Sequence, residues 1–173
     1  MSYVYHSVPE KMIGHNLVPL NIMRQKHHEL FTQYSKKYEG RQEILNRHIP
    51  LLDCFWSDVV QFSPVHPSKI FELQKSLGLI RKMPIYQYFE IDTKLFNPEK
   101  AVVYFKSDYG EENIKFMWLK DIDLSLISEV PQPTIDYYKT FIGTGKLPLN
   151  YQFIPHILYA GTIDTSASKI ITI

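Results

Sequence analysis

A single cysteine, Cys54, in 173 residues excludes any internal disulfide, so packing alone must hold the chain together. It also points to a reducing compartment. Glycine is scarce, with seven residues, which argues against a linker-rich chain. No apolar run approaches the roughly 20 residues that span a bilayer. Charge of one sign is missing too: 19 basic side chains face 18 acidic ones, a net +1. So near-neutral a chain projects no long-range field toward nucleic acid or an acidic membrane. The opening residues carry neither a basic n-region nor an apolar h-region, so no signal peptide is expected. A cytoplasmic location follows as the expectation, and leaderless secretion is compatible with it. The sequence contains no CxxC, no HExxH and no GxSxG turn. The segment Gly143-Thr144-Gly145-Lys146 lacks the leading glycine spacing and the following hydroxyl of a phosphate loop, and it closes a predicted helix.

What the sequence does have is aromatic and proline: 12 Tyr, 10 Phe and 11 Pro. The length suits one domain, residues 1–173, which would bury roughly two-thirds of its unfolded surface. Residues 3–8 alternate and are rich in β formers, so a strand is expected there, and residues 17–20 read as a short extended piece. From Asn21, Met23, His27, Leu30 or Phe31, Tyr34 and Tyr38 recur at three and four, predicting one amphipathic helix of about 17 residues closed by Gly40. A second helix is expected over 42–47, and extended segments over 51–56 and 58–63. Pro67 opens a helix over 67–77 that Gly78 stops. Strands are expected at 85–91 and 101–105, joined around Asn97-Pro98. A hairpin should link 101–105 to 114–119 through a polar tip. A helix over 133–142 and final strands at 157–160 and 170–173 complete an α+β domain. It should have three to four helices and a mixed or mostly antiparallel sheet.

Seven histidines are candidates for chemistry: His6, His15, His27, His28, His48, His66 and His156. His27 and His28 are adjacent and point apart on a helix. His6, His66 and His156 each lie beside a strand end, where a spatial cluster could bind metal, yet no sequence spacing calls for one, and none is expected. Cys54 sits in an apolar block, the environment of an inert core thiol more than of a nucleophile in a cysteine hydrolase. Asp53 and Asp58 flank Trp56, but side chains five apart on an extended segment face opposite sides.

Two stretches resemble a known family. Val4-Tyr5-His6-Ser7, followed by Leu17-Val18-Pro19-Leu20, resembles the first strand of ADP-ribosyltransferase-like domains. There a Tyr-His or similar pair binds the nicotinamide or ribose side of NAD. Pro155-His156-Ile157-Leu158-Tyr159-Ala160, then Gly161 to Asp164 and Ile170 to Ile173, is similar to that fold's closing hairpin. Val60-Gln61-Phe62-Ser63 resembles its middle strand, which often carries a hydroxyl. The resemblance implies NAD as cofactor, Tyr5, His6 and Ser63 as its binding residues, and His6 with His156 as the catalytic pair. His156 occupies the slot where most members carry a catalytic glutamate. A neutral imidazole can accept a hydrogen bond there, but it brings no negative charge to an oxocarbenium-like transition state. The partners implied are a nucleotide substrate or a protein target.

A non-catalytic interaction module of the bacterial effector or toxin-associated kind is the competing reading. It is motivated by the tyrosine content and the lack of any complete motif, with Tyr137-Tyr138 and the Trp118 hairpin as contact surfaces.

Overall fold

The computed structural model describes residues 2–173. Met1, where the leaderless reading of the N-terminus begins, lies outside them. The chain is α+β, as its alternating and helical patterns require. Strands β1 (Tyr3–Ser7) and β2 (Asn16–Leu17) lead into helices α1 (Leu20–Lys26) and α2 (His28–Ser35). The single long helix expected there is broken at His27, whose φ of −142° and ψ of 66° leave the helical region. The break lets α1 present Leu20 and Met23, and α2 present Phe31 and Tyr34, to one apolar cluster.

The helix expected over 42–47 is a 3-10 turn, Gln42–Asn46. The extended block expected over 51–56 is mostly a turn. Only β3 (His48–Ile49) and β4 (Cys54–Phe55) pair, around a bend in which Asp53 takes a φ of 46°. A turn at Trp56–Asp58 then leads into β5 (Val59–Phe62). Helix α3 (Pro67–Ser76), strands β6 (Gln87–Asp92), β7 (Ala101–Phe105) and β8 (Lys115–Trp118), and helix α4 (Gln132–Lys139) fall where the pattern placed them. Strands β9 (His156–Ala160), β10 (Ile163–Asp164) and β11 (Lys169–Thr172) finish the chain.

Two antiparallel sheets organise these strands. One has the order β1-β6-β11, the other β5-β9-β7-β8. The β7–β8 hairpin forms as expected. Two other pairings do not. β6 and β7 are consecutive but belong to different sheets, and so do β9 and β11, so among the described residues β9 and β11 form no closing hairpin. Residues 163–164, read as a connector, instead pair with β2. A period-2 pattern shows that a segment is a strand; its partner depends on contacts distant in sequence.

The four-stranded sheet is buried on both faces, which explains its near-continuous apolar strands. On one face Val60, Phe62, Val103, Ile157 and Tyr159 pack against Val4, Phe89 and Ile91 of the other sheet. On the opposite face Val59, Val102 and Leu158 meet the helices and Trp56. The two sheets touch through one isolated bridge. Tyr5 donates its N–H to the Ser63 carbonyl at 2.8 Å and accepts from Ser63 N–H at 2.9 Å. Beyond that bridge β1 leaves β5, and a cleft opens between them. Among the described residues no helix is long and apolar enough to cross a membrane.

Candidate functional site

The cleft has a volume of about 700 Å³, within the roughly 300–1,000 Å³ typical of small-molecule sites. Residues at the end of β1, along β5, and at the mouths of β7 and β9 line it. The turns 37–47 and 149–155 form its other wall. His6 and His156, 150 residues apart, both reach it, as do Tyr5 and Ser63. A smaller cavity of about 230 Å³ adjoins and shares His6, Lys37 and Gln61.

Each histidine is fixed in the same way. The His6 Nδ1 lies 2.6 Å from the Ser7 carbonyl and the His156 Nδ1 2.7 Å from the Ile154 carbonyl. A carbonyl only accepts, so Nδ1 carries the proton in both rings and each Nε2 is left as an acceptor. The rings are also packed in place. His6 sits edge-on to Phe62 at 5.6 Å, and His156 lies 6.1 Å from Tyr104 and 6.3 Å from Trp56. Burial pushes both imidazoles down to about 4, and the Lys37 ammonium adds to the effect on each. Both are therefore neutral at physiological pH.

The sign of the pH dependence follows. Between pH 6.5 and about 4 the unfolded chain binds more protons at these two sites than the native one does. Stability from keeping them neutral is fully present above pH 6.5 and is lost as pH falls through about 4. The melting temperature should drop on acidification from pH 7 to 4.5. It should drop less in the double variant His6→Asn/His156→Asn, which has nothing to protonate there. Equal drops in a thermal melt of the two proteins would contradict this assignment.

Tyr5 and Ser63 border the cleft, but their side chains are engaged elsewhere. Alternation along β1 sends the Tyr5 ring away from His6, edge-on to His66 at 4.9 Å. Its hydroxyl donates to Glu90 at 3.5 Å, and burial with that carboxylate raises it to about 12. The Ser63 hydroxyl donates to the Val65 carbonyl at 3.0 Å and accepts the Val65 N–H at 3.1 Å. These two residues shape the junction of the sheets. His66 carries the opposite tautomer, because its Nδ1 accepts from Ser68 N–H as the cap of α3. Among the described residues no group of three His, Cys, Asp or Glu is placed to hold a metal ion.

The other candidates lie apart. Cys54 is half-buried in β4, is not part of the cleft wall, and is pushed up to about 11 by burial and by Asp58 and Asp53. Such a thiol is a poor nucleophile near neutral pH. Asp58 accepts the Phe55 N–H at 2.9 Å and an Asn21 amide bond at 2.6 Å, while Asp53 pairs with His48. They form no carboxylate pair. Tyr138, proposed as a contact surface, is fully buried, with its hydroxyl on the Asn150 carbonyl.

Several cleft residues escaped the sequence. Trp56 donates its indole N–H to Tyr38 at 3.2 Å, and Tyr38 donates to Gln61 at 3.4 Å, building a polar floor. Gln61 interrupts an otherwise apolar buried strand, which is the signal that could have found it. Lys37, Arg41, Arg47 and Lys106 line the walls against only Glu43 and Glu111. Lys37, Arg41 and Arg47 come from one stretch of turns and Lys106 from just beyond β7, so no local pattern groups all four. No family model matches this chain, and no curated protein or solved structure matches it.

Proposed function

We propose that the cleft binds the ADP-ribose part of NAD, in the manner of an ADP-ribosyltransferase-like domain. The observation that carries this reading is the pair of neutral imidazoles, His6 and His156. Their Nδ1 protons are tied to backbone carbonyls, which leaves each Nε2 an acceptor, and both residues line one cleft. Two fixed acceptors suit the donor hydroxyls of a ribose. The cationic walls suit a diphosphate.

Recognition follows from these groups more directly than turnover does. His156 stays neutral, so it cannot oppose the positive charge that develops when a glycosidic bond breaks. Of the two cleft carboxylates, Glu111 is paired with Arg47, which leaves Glu43 as the group for that task. A transferase reading therefore depends on Glu43, and a binding reading does not.

The test is a thermal melt with millimolar NAD and, separately, ADP-ribose. Ligand at a hundredfold its dissociation constant stabilises by about 2.7 kcal/mol. For a chain of this length that is a rise of roughly 5–10 °C. No rise with either ligand would reject the reading.

A further inference from the structure

We infer that Arg47 and Lys106 form a preorganised phosphate subsite at the cleft mouth, with the Glu111 carboxylate as its intramolecular competitor. The identity of the phosphate as that of a nucleotide rests on the ADP-ribose reading. The subsite itself rests on the geometry of these three side chains.

Arg47 is built into the wall. Its Nη1 donates to the Tyr104 hydroxyl at 3.0 Å, and its guanidinium lies 5.8 Å from the Trp56 ring and 5.7 Å from the Tyr104 ring. Both rings belong to buried residues. The Arg47 side chain is only 20% exposed and that of Lys106 only 17%. Their common partner differs. The Glu111 side chain is 64% exposed and sits on the short turn Glu111–Asn113 at the tip of the β7–β8 hairpin. The Arg47 Nη2 alone reaches both its oxygens, at 3.0 and 2.9 Å, and Lys106 reaches one of them at 2.5 Å. The hydrogen bond from Lys106, with Arg47 beside it, holds this carboxyl below the usual carboxylate range.

A partly exposed ion pair adds little to the stability of a fold, so pairing with Glu111 explains little of why two cations are fixed so firmly. A guanidinium nitrogen that reaches both oxygens of a carboxylate can reach the oxygens of a phosphate in the same place. Lys37 and Arg41 line the same cleft, and with Arg47 and Lys106 they outnumber its carboxylates by four to two. In a chain of net charge +1 that is a local concentration of positive charge. Glu111, on a hairpin tip, can withdraw without disturbing the buried stems of its two partners.

Titration calorimetry of the full chain with inorganic pyrophosphate, ADP-ribose and adenosine tests this. Removing the competitor in Glu111→Ala should tighten pyrophosphate and ADP-ribose by roughly five- to tenfold and leave adenosine unchanged. Adding Arg47→Lys, which keeps the charge but not the planar guanidinium that Tyr104 holds, or Lys106→Met should cancel the gain. Glu111→Ala binding pyrophosphate no tighter than the parent chain overturns the subsite. If ADP-ribose nevertheless binds the parent, the nucleotide reading survives that result. If pyrophosphate tightens through Arg47 while ADP-ribose binds neither protein, the subsite stands and the nucleotide reading falls.

Discussion

His156→Asn should fold like the parent chain and bind ADP-ribose roughly ten- to a hundredfold more weakly. The substitution separates the two roles of the ring. An asparagine amide nitrogen lies near the position of the imidazole Nδ1, so the bond to the Ile154 carbonyl, 2.7 Å in the parent, can persist. What disappears is the Nε2 acceptor. A ligand hydroxyl left facing it without a partner loses about 1–3 kcal/mol, which sets the expected factor. His156→Gln makes the opposite trade: its oxygen reaches toward the Nε2 position and should restore part of the binding. Calorimetry on the parent and both variants reads the effect, and a circular dichroism melt checks that the fold is retained. Asparagine binding as tightly as histidine would show that Nε2 contacts nothing in the ligand.

Phe62→Ala should lower the unfolding free energy by about 3–5 kcal/mol, a large part of the roughly 5–15 kcal/mol available to a domain. Phe62 is fully buried where the two sheets face each other. It pairs with Ile157 across β5 and β9, packs on Phe96 at 5.1 Å, and supports the His6 ring from behind at 5.6 Å. Truncation leaves a cavity between two packed sheets, beside a strand that β9 holds in register, so the surroundings can collapse only in part. Because His6 leans on this ring, ligand binding should weaken as well. Phe62→Leu keeps most of the volume and should cost under about 1.5 kcal/mol. Urea unfolding with an unchanged slope measures both. A loss below about 1 kcal/mol for the alanine variant would mean that this region is loosely packed.

Strands and helices were legible wherever one face of an element is buried. Residues 67–77 carry a proline start, an apolar stripe and a glycine stop, and α3 forms there. The polar tip between 105 and 115 marks a hairpin, and β7 and β8 pair across it. Partnership was not legible. Nothing near Ile170 says that β11 joins β6 rather than β9, because that choice is made by Phe89 and Tyr88 about 80 residues earlier. The break at His27 has no glycine or proline to announce it. The same limit applies to the site. His6 and His156 were singled out on resemblance, and the fold brings both to one cleft. The cationic wall was invisible, since Lys37, Arg41, Arg47 and Lys106 are ordinary surface residues until the turns and strands converge. The hydroxyls of Tyr5 and Ser63 looked available in sequence, and local partners at Glu90 and Val65 take them up.

The most direct measurement is a calorimetric titration of ADP-ribose into the parent chain and into the double variant His6→Asn/His156→Asn, at pH 7 and moderate salt. Saturable one-site binding to the parent is expected, with the double variant folded and failing to bind. Equal binding by the two proteins, or no binding by the parent at millimolar ligand, would contradict a nucleotide site built on these two imidazoles.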